Sequence, residues 1–269
     1  MSNSGSGCPI AVSKHFTSSI PLWVRTDQPR HVGMDYWKSP HSGIISATPG
    51  TLEYRQLHLA DINPGVWPPI AGVETSIPAD RKIDGVAEVT FISALSPLFG
   101  RAQTRLAYQD EVNVFRRTLL YIGAPNWSRW YQVAQPGEGV GARTLVYLRR
   151  RRGVSPREFR RAIRQHVVPA MTRLPDVREL RTQDFLPWSA RLWNTPNVAH
   201  DNPVEQRFHA SVILGFADAG ARADFLLGTA IETLSANLAA VCSAVHAYEV
   251  SETLTFVKGG TILHDVEDC

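Results

Sequence analysis

Apolar positions recur along the chain with two periods. Residues 155–173 carry Phe159, Ala162, Ile163 and His166 at i, i+3, i+4 and i+7, the spacing of one helical face. This helix opens on Ser155-Pro156-Arg157-Glu158. There the Ser155 hydroxyl is set to accept from the Glu158 amide, the Glu158 carboxylate accepts from the Ser155 amide, and Pro156 takes a first-turn position that needs no N–H. His166 is therefore expected to point inward. Met34, Trp37 and His41 show the same i, i+3, i+7 spacing in a helix predicted over 32–46, which Pro40 must kink or restart. Further helices are expected over 95–108 and 219–241. Strands are expected at 20–25, 52–59, 85–92, 116–122, 144–149, 177–184, 208–216 and 252–257, several of them with period-two alternation. In 52–59, for example, Tyr54, Gln56 and His58 share one face and Glu53, Arg55 and Leu57 the other.

The order reads β-α-β-β-α-β twice. The halves align at an offset of about 125 or 126: Trp37 with Ala162, His41 with His166, 49–55 with 175–181, and 84–91 with 209–216. Glu53 and Glu179, and Arg55 and Arg181, are identical in type. A period this long is the size of a whole small domain, so the expectation is one module present twice. The predicted organisation is a mobile arm (1–19), a first repeat (20–123), a linker (124–142), a second repeat (143–258) and an acidic tail (259–269). Both repeats place a long aromatic-bearing loop between their second and third strands. The first, 61–78 with Trp67, reads as a lid because structureless stretches beyond about 12–15 residues usually cover something. The second, 185–206, bears Trp188 and Trp193.

Several landmarks together carry a resemblance. In the second half they are the strand ending in basic residues at 145–152, Gly153, the Ser155-capped helix with His166, and the Leu174-Pro175-Asp176 turn. In the first they are Tyr36-Trp37 ahead of His41, and the third strand 83–89. Over roughly residues 20–258 the chain resembles the EthD-like family of the dimeric α/β barrel superfamily. The halves also differ. The first lacks the basic run and has Asp84-Gly85 where the second has His209-Ala210, and the second has Ala162 in place of the tryptophan. The resemblance implies an α+β fold of two ferredoxin-like repeats, their sheets packed as a pseudo-dimer within one chain, with a cavity on the inner faces or at the sheet–helix margins. It also implies that His41 and His166 transfer protons, and that His58 stands where the family often has a histidine.

Histidine exchanges a proton near neutral pH, which makes His41, His166, His58 and His209 the candidate acid/base residues. On the third strands the apolar sets (Ala87, Val89, Phe91; Ala210, Val212, Leu214, Phe216) suit a helix-packed side. The mixed sets (Asp84, Val86, Glu88, Thr90; His209, Ser211, Ile213) suit a cavity wall. Trp37, Tyr54, Asp84, Glu88, Ser211 and Trp188 are the candidate substrate-binding residues. Each also has a plain structural reading: the aromatics as packing anchors, Asp84 as a turn residue before Gly85.

Composition narrows the function. With 43% hydrophobic and 20% charged residues the chain can bury a sizeable core, and a net charge of +3 argues against a nucleic-acid partner. Cys8, Cys242 and Cys269 have no CxxC spacing, so neither a metal site nor a disulfide framework is expected. No apolar run reaches about 18 residues, no leader-like segment opens the chain, and no membrane partner is expected; a cytosolic location is the default. Dinucleotide, P-loop, nucleophile-elbow and HExxH motifs are absent. The reading is a cofactor-independent lyase or isomerase acting by histidine acid/base catalysis on a small apolar carbonyl compound, by dehydration, decarboxylation, cyclisation or proton shift. The alternatives are a haem enzyme of the same superfamily, holding haem through an inward histidine, and a non-catalytic carrier. Self-association beyond the internal pseudo-dimer is left open.

Overall fold

The computed structural model describes residues 10–268, with side chains described through Leu263. Cys8, Cys269 and the first part of the expected arm lie outside the described residues. The elements keep the predicted order. In the first half they are β1 (Val12–Val24), α1 (30–46), β2 (Thr51–Leu59), β3 (Gly85–Phe91), α2 (Arg101–Val114) and a fourth strand in three pieces, β4 (Phe115–Thr118), β5 (Tyr121–Ile122) and β6 (Ser128–Tyr131). In the second they are β7 (Ala142–Arg150), α3 (156–171), β8 (Val177–Asp184), β9 (Ala210–Phe216), α4 (Ala219–Leu227), α5 (Thr229–Val241) and β10 (Cys242–Lys258), and then β11 (Thr261–Asp268).

Strands β10-β2-β3-β1-β6-β8-β9-β7 pair in that order and β7 returns to β10, closing an eight-stranded antiparallel barrel. Each half has the ferredoxin-like order, with its fourth strand beside its first and its third beside its second. The barrel closes because the second strand of each half pairs with the fourth strand of the other: β2 with β10, and β8 with β6. This is the expected pseudo-dimer within one chain.

Several boundaries differ from the sequence reading. β1 begins at Val12, within the stretch read as an arm, and β6 falls inside the expected linker, pairing with both β1 and β8. The tail forms a hairpin with β10. β10 is far longer than 252–257, because one strand must line β7 over its first half and β2 over its second. Among the described residues no helix is long and apolar enough to cross a membrane.

Alternation along β2 sorts its side chains as expected. Leu57 and Leu59 enter the barrel interior with Val86, Leu145, Tyr147, Ile213 and Tyr248, while Tyr54 packs outward against α1 with Trp37. The capping box at Ser155 is present, with both reciprocal bonds made. The helices carry an unexpected feature. α1 and α3 each contain one π-helical turn, Trp37–His41 and Ile163–Val167. These turns lie at an offset of 126, so His41 matches Val167 and Trp37 matches Ile163. The expected pairing of His41 with His166 is thereby corrected. The inward placement of His166 is corrected too: the π turn inserts one extra residue, rotates the rest of the helix, and leaves His166 exposed while Ile163 and Val167 are buried.

The first long loop is not a lid over a cavity. Each long loop crosses to the other half and adds a parallel bridge to that half's fourth strand, Glu74 to Ala244 and Arg117 to Ala199. Glu74 is bonded there to His246 Nε2 (2.7 Å) and to Arg149 (3.0 Å). We refer to these loops as straps.

Candidate active site

The two halves close their outer, helix-covered faces differently. In the second half the space between sheet and helices is solid. Phe159, Ile163, Leu214, Phe216, Phe225 and Leu234 fill it, and the first strap contributes Trp67, whose indole N–H donates to Ser235 Oγ at 3.0 Å and whose ring meets Phe225 edge-on. In the first half the corresponding space is a cavity of about 750 Å³. Its sheet wall is Ser18 and Ile20 of β1 with Val89 and Phe91 of β3, and its helix wall is Ile45 with Ala107 and Tyr108. The second strap completes it with Leu186, Leu192 and Trp193. Trp193 matches Trp67 at the same offset of 126. It remains half-buried, edge-on to Tyr108 at 4.7 Å. The size and apolar lining are those of a small-molecule site.

A polar network stands behind Trp193. Glu111, one helical turn beyond Ala107, is buried, and its carboxylate accepts from the Thr195 hydroxyl (2.6 Å) and, at 3.5 Å, from Thr118. Trp193 Nε1 donates to Thr118 Oγ1 (3.2 Å), and His200 accepts from the Thr195 amide through Nε2 (2.9 Å). Glu111 has hydroxyl partners and no cation. Burial therefore dominates and pushes its carboxyl up to about 7. Burial likewise pushes the Tyr108 hydroxyl up to about 12.

The residues singled out from sequence lie elsewhere. His41 is buried beside α2, its Nδ1 2.8 Å from Asp110 Oδ2, with Phe115 edge-on. That hydrogen bond, with those from Asn113 and Tyr36, holds the Asp110 carboxyl down at about 2. Ile45, one turn from His41, lines the cavity; the imidazole does not. His58 stacks on Trp37 at 4.6 Å and contacts Gln56 (2.9 Å). Burial first, then the Lys38 and Arg30 charges, push it down to about 3. Its 3.5 Å approach to Glu252 is thus a contact of a neutral ring, not an ion pair. His209 accepts from the Arg150 amide and lies near Phe159 in the filled half. Burial and the Arg150 and Arg149 charges push it down to about 4.

Asp84 has the structural role: it accepts from the Val24 amide (2.9 Å) and from Arg30 (2.7 Å). Trp37 and Tyr54 are packing anchors, buried against His58 and Phe256. Trp188 stacks under Arg207 and does not line the cavity. Val86, Glu88, Ser211 and Ile213 face the barrel interior, where the expected inner cavity is reduced to a hollow of about 10 Å³, room for one water at most. The inner face is closed because Glu53, Arg55, Glu88, Arg143, Glu179 and Arg181 fill it with ion pairs. Tyr108, Glu111 and Trp193 were not singled out. Glu111 stands at i+4 from Ala107 on a predicted helix, but that helix was expected to end at residue 108, so no periodic signal placed it.

No family model and no curated protein matches the sequence. Solved structures share the fold. A candidate monooxygenase from Lactobacillus acidophilus NCFM superposes with a TM-score of 0.52 at 10% identity, over 95% of this chain and 100% of its own. A candidate monooxygenase from Fusobacterium nucleatum gives 0.53 at 6%, covering 95% of each chain. An anthrone oxidase-like protein gives 0.53 at 11%, over 92% and 96%. At these identities the likeness is one of fold, and it runs through both halves: an α+β barrel built from two ferredoxin-like units.

Proposed function

We propose that this chain binds a small, mostly apolar, carbonyl-bearing molecule in the first-half cavity and removes a proton from a carbon whose anion is conjugated with the carbonyl. The observation that carries the reading is the asymmetry of the two outer faces. One is packed solid and the other keeps about 750 Å³ open beneath an aromatic pair, with a buried carboxyl poised near neutrality behind Trp193. Tyr108 keeps its proton at neutral pH and donates a hydrogen bond to the carbonyl oxygen, where negative charge develops. Glu111 does not itself line the cavity; it stands behind Trp193 and is the ultimate acceptor for the carbon-bound proton, since a base works best when its pKa lies near the working pH.

Deprotonation beside a carbonyl is the shared first step of dehydration, isomerisation and cyclisation. It is also a route to oxygen addition, the activity in the names of the neighbouring monooxygenases. An anthrone, in the name of another neighbour, is an aromatic ketone whose acidic methylene group lies across the central ring from the carbonyl and delocalises its charge onto that oxygen through the aryl rings. The haem alternative has less support, because no histidine lines this cavity. The matched π turns, straps and Trp67/Trp193 pair support descent by tandem duplication, after which one site was filled.

The test is hydrogen–deuterium exchange at the anthrone methylene in D2O, monitored by mass spectrometry, with equilibrium dialysis for binding. Saturable binding is expected, with exchange above the buffer rate that falls about 100-fold in Glu111→Gln. Binding without exchange would make the chain a carrier, and no binding would discard the cavity as a ligand site.

A further inference from the structure

Large apolar side chains left in solvent are not scattered evenly. Among the described residues, fourteen are exposed, and five of them, Ile92, Leu95, Leu98, Phe99 and Leu106, fall in one stretch between β3 and the first half of α2. Phe99 is 74% exposed. Leu186 and Leu192 of the second strap, also among the fourteen, line the cavity, and so do Ala94, Pro97, Arg101 and Arg105 from the same stretch. Half of the fourteen thus lie in the two segments that supply lining residues to the cavity. A patch of this kind marks an interaction surface.

Charge selects the occupant. Residues 92–108 include Arg101 and Arg105 and no Asp or Glu. Both arginines are exposed, and neither enters an ion pair among the described residues. A second copy docked about a twofold axis would set these arginines against their own counterparts. An anionic bilayer meets both features: headgroups pair with the arginines while Leu95, Leu98 and Phe99 enter the acyl boundary.

We propose that this stretch docks on the surface of an anionic bilayer and presents the cavity mouth to it, so that an apolar ligand passes from lipid to cavity without crossing water. This departs from the sequence-based expectation of no membrane partner. The docking stands on the surface alone; the delivery of ligand rests on the cavity being a ligand site.

Sedimentation of the full chain with phosphatidylcholine vesicles, with and without phosphatidylglycerol, tests the docking. Binding is expected to the anionic vesicles, to weaken with salt, and to fall roughly tenfold or more in Arg101→Glu/Arg105→Glu. Leu95→Ser/Phe99→Ser, neither of which lines the cavity, should abolish it, and Leu227→Ser, an exposed residue elsewhere, should leave it unchanged. Absence of vesicle binding, or binding indifferent to Leu95→Ser/Phe99→Ser, overturns the proposal. So does a dimer in sedimentation velocity that the same variant dissolves, which would assign the patch to a second copy. Anthrone binding measured without vesicles reports separately on the cavity.

Discussion

Arg55 reaches across the barrel to Glu179 at 2.6 Å, and Arg181 reciprocally pairs with Glu53, so the same Glu-x-Arg of each half holds its counterpart in the other. Arg55 also binds Glu88 at 2.7 Å, and all of these groups are buried or nearly so. Removing one member of a buried network leaves its partners charged and dry. Arg55→Met should therefore cost about 3–5 kcal/mol, measured by chemical denaturation. Adding Glu88→Gln, which removes the carboxylate left without its cation, should restore part of that loss. An Arg55→Met variant as stable as wild type would show that the network contributes little to the barrel.

Much of this arrangement is legible in the chain. The 126-residue correspondence of Glu53-x-Arg55 with Glu179-x-Arg181 is plain, and the alternation along β2 separates Tyr54 and His58 from Arg55; which of the two faces meets the helices is seen only in the structure. The direction of the site is not legible. Mixed polar and apolar residues on β3 and β9 read as a cavity wall, but Glu88 is paired with Arg55 and Thr90 with Thr17 on the neighbouring strands, and pattern alone does not tell a paired glutamate from a ligand-facing one. The π turns are equally silent: nothing in 163–167 announces the extra residue that turns His166 to solvent.

The asymmetry between the outer faces predicts opposite outcomes for one substitution made in each half. Val89 lines the cavity, whereas Leu214, its counterpart on β9, is fully buried in solid packing. Val89→Phe should fill open space, leave stability within about 1 kcal/mol and abolish ligand binding. Leu214→Phe should overpack the core and cost about 1–3 kcal/mol while ligand binding persists. Thermal melts with equilibrium dialysis separate the cases, and equal destabilisation by both would mean that the first-half space is closed.

Gly85 sits under the Trp37 indole. A β-carbon there would lie 2.7 Å from Trp37 Cη2 and 3.1 Å from the Leu57 carbonyl oxygen, so glycine is needed for close approach and not for an unusual backbone angle. Gly85→Ala should push Trp37 off its stack with His58 and destabilise the fold by about 1–3 kcal/mol. A shift in tryptophan emission should accompany the loss. Wild-type stability with unchanged emission would show that the indole has room to move.

Two buried groups tilt the pH dependence of stability in opposite directions. His58, pushed down to about 3, binds fewer protons folded than unfolded, so its contribution is lost as pH falls below about 6.5. Glu111, pushed up to about 7, binds more protons folded than unfolded. Its contribution is present at pH 4 and drains away as pH rises from about 4.5 through 7, in all by about 3 kcal/mol. Glu111→Gln removes the ionisation while keeping an acceptor for Thr195. The variant should therefore match wild type near pH 4.5 and become the more stable protein at pH 8. A stability difference between the two that stays constant across this range would mean that Glu111 ionises at its ordinary pKa, and it would then lose its standing as a base poised for neutral pH.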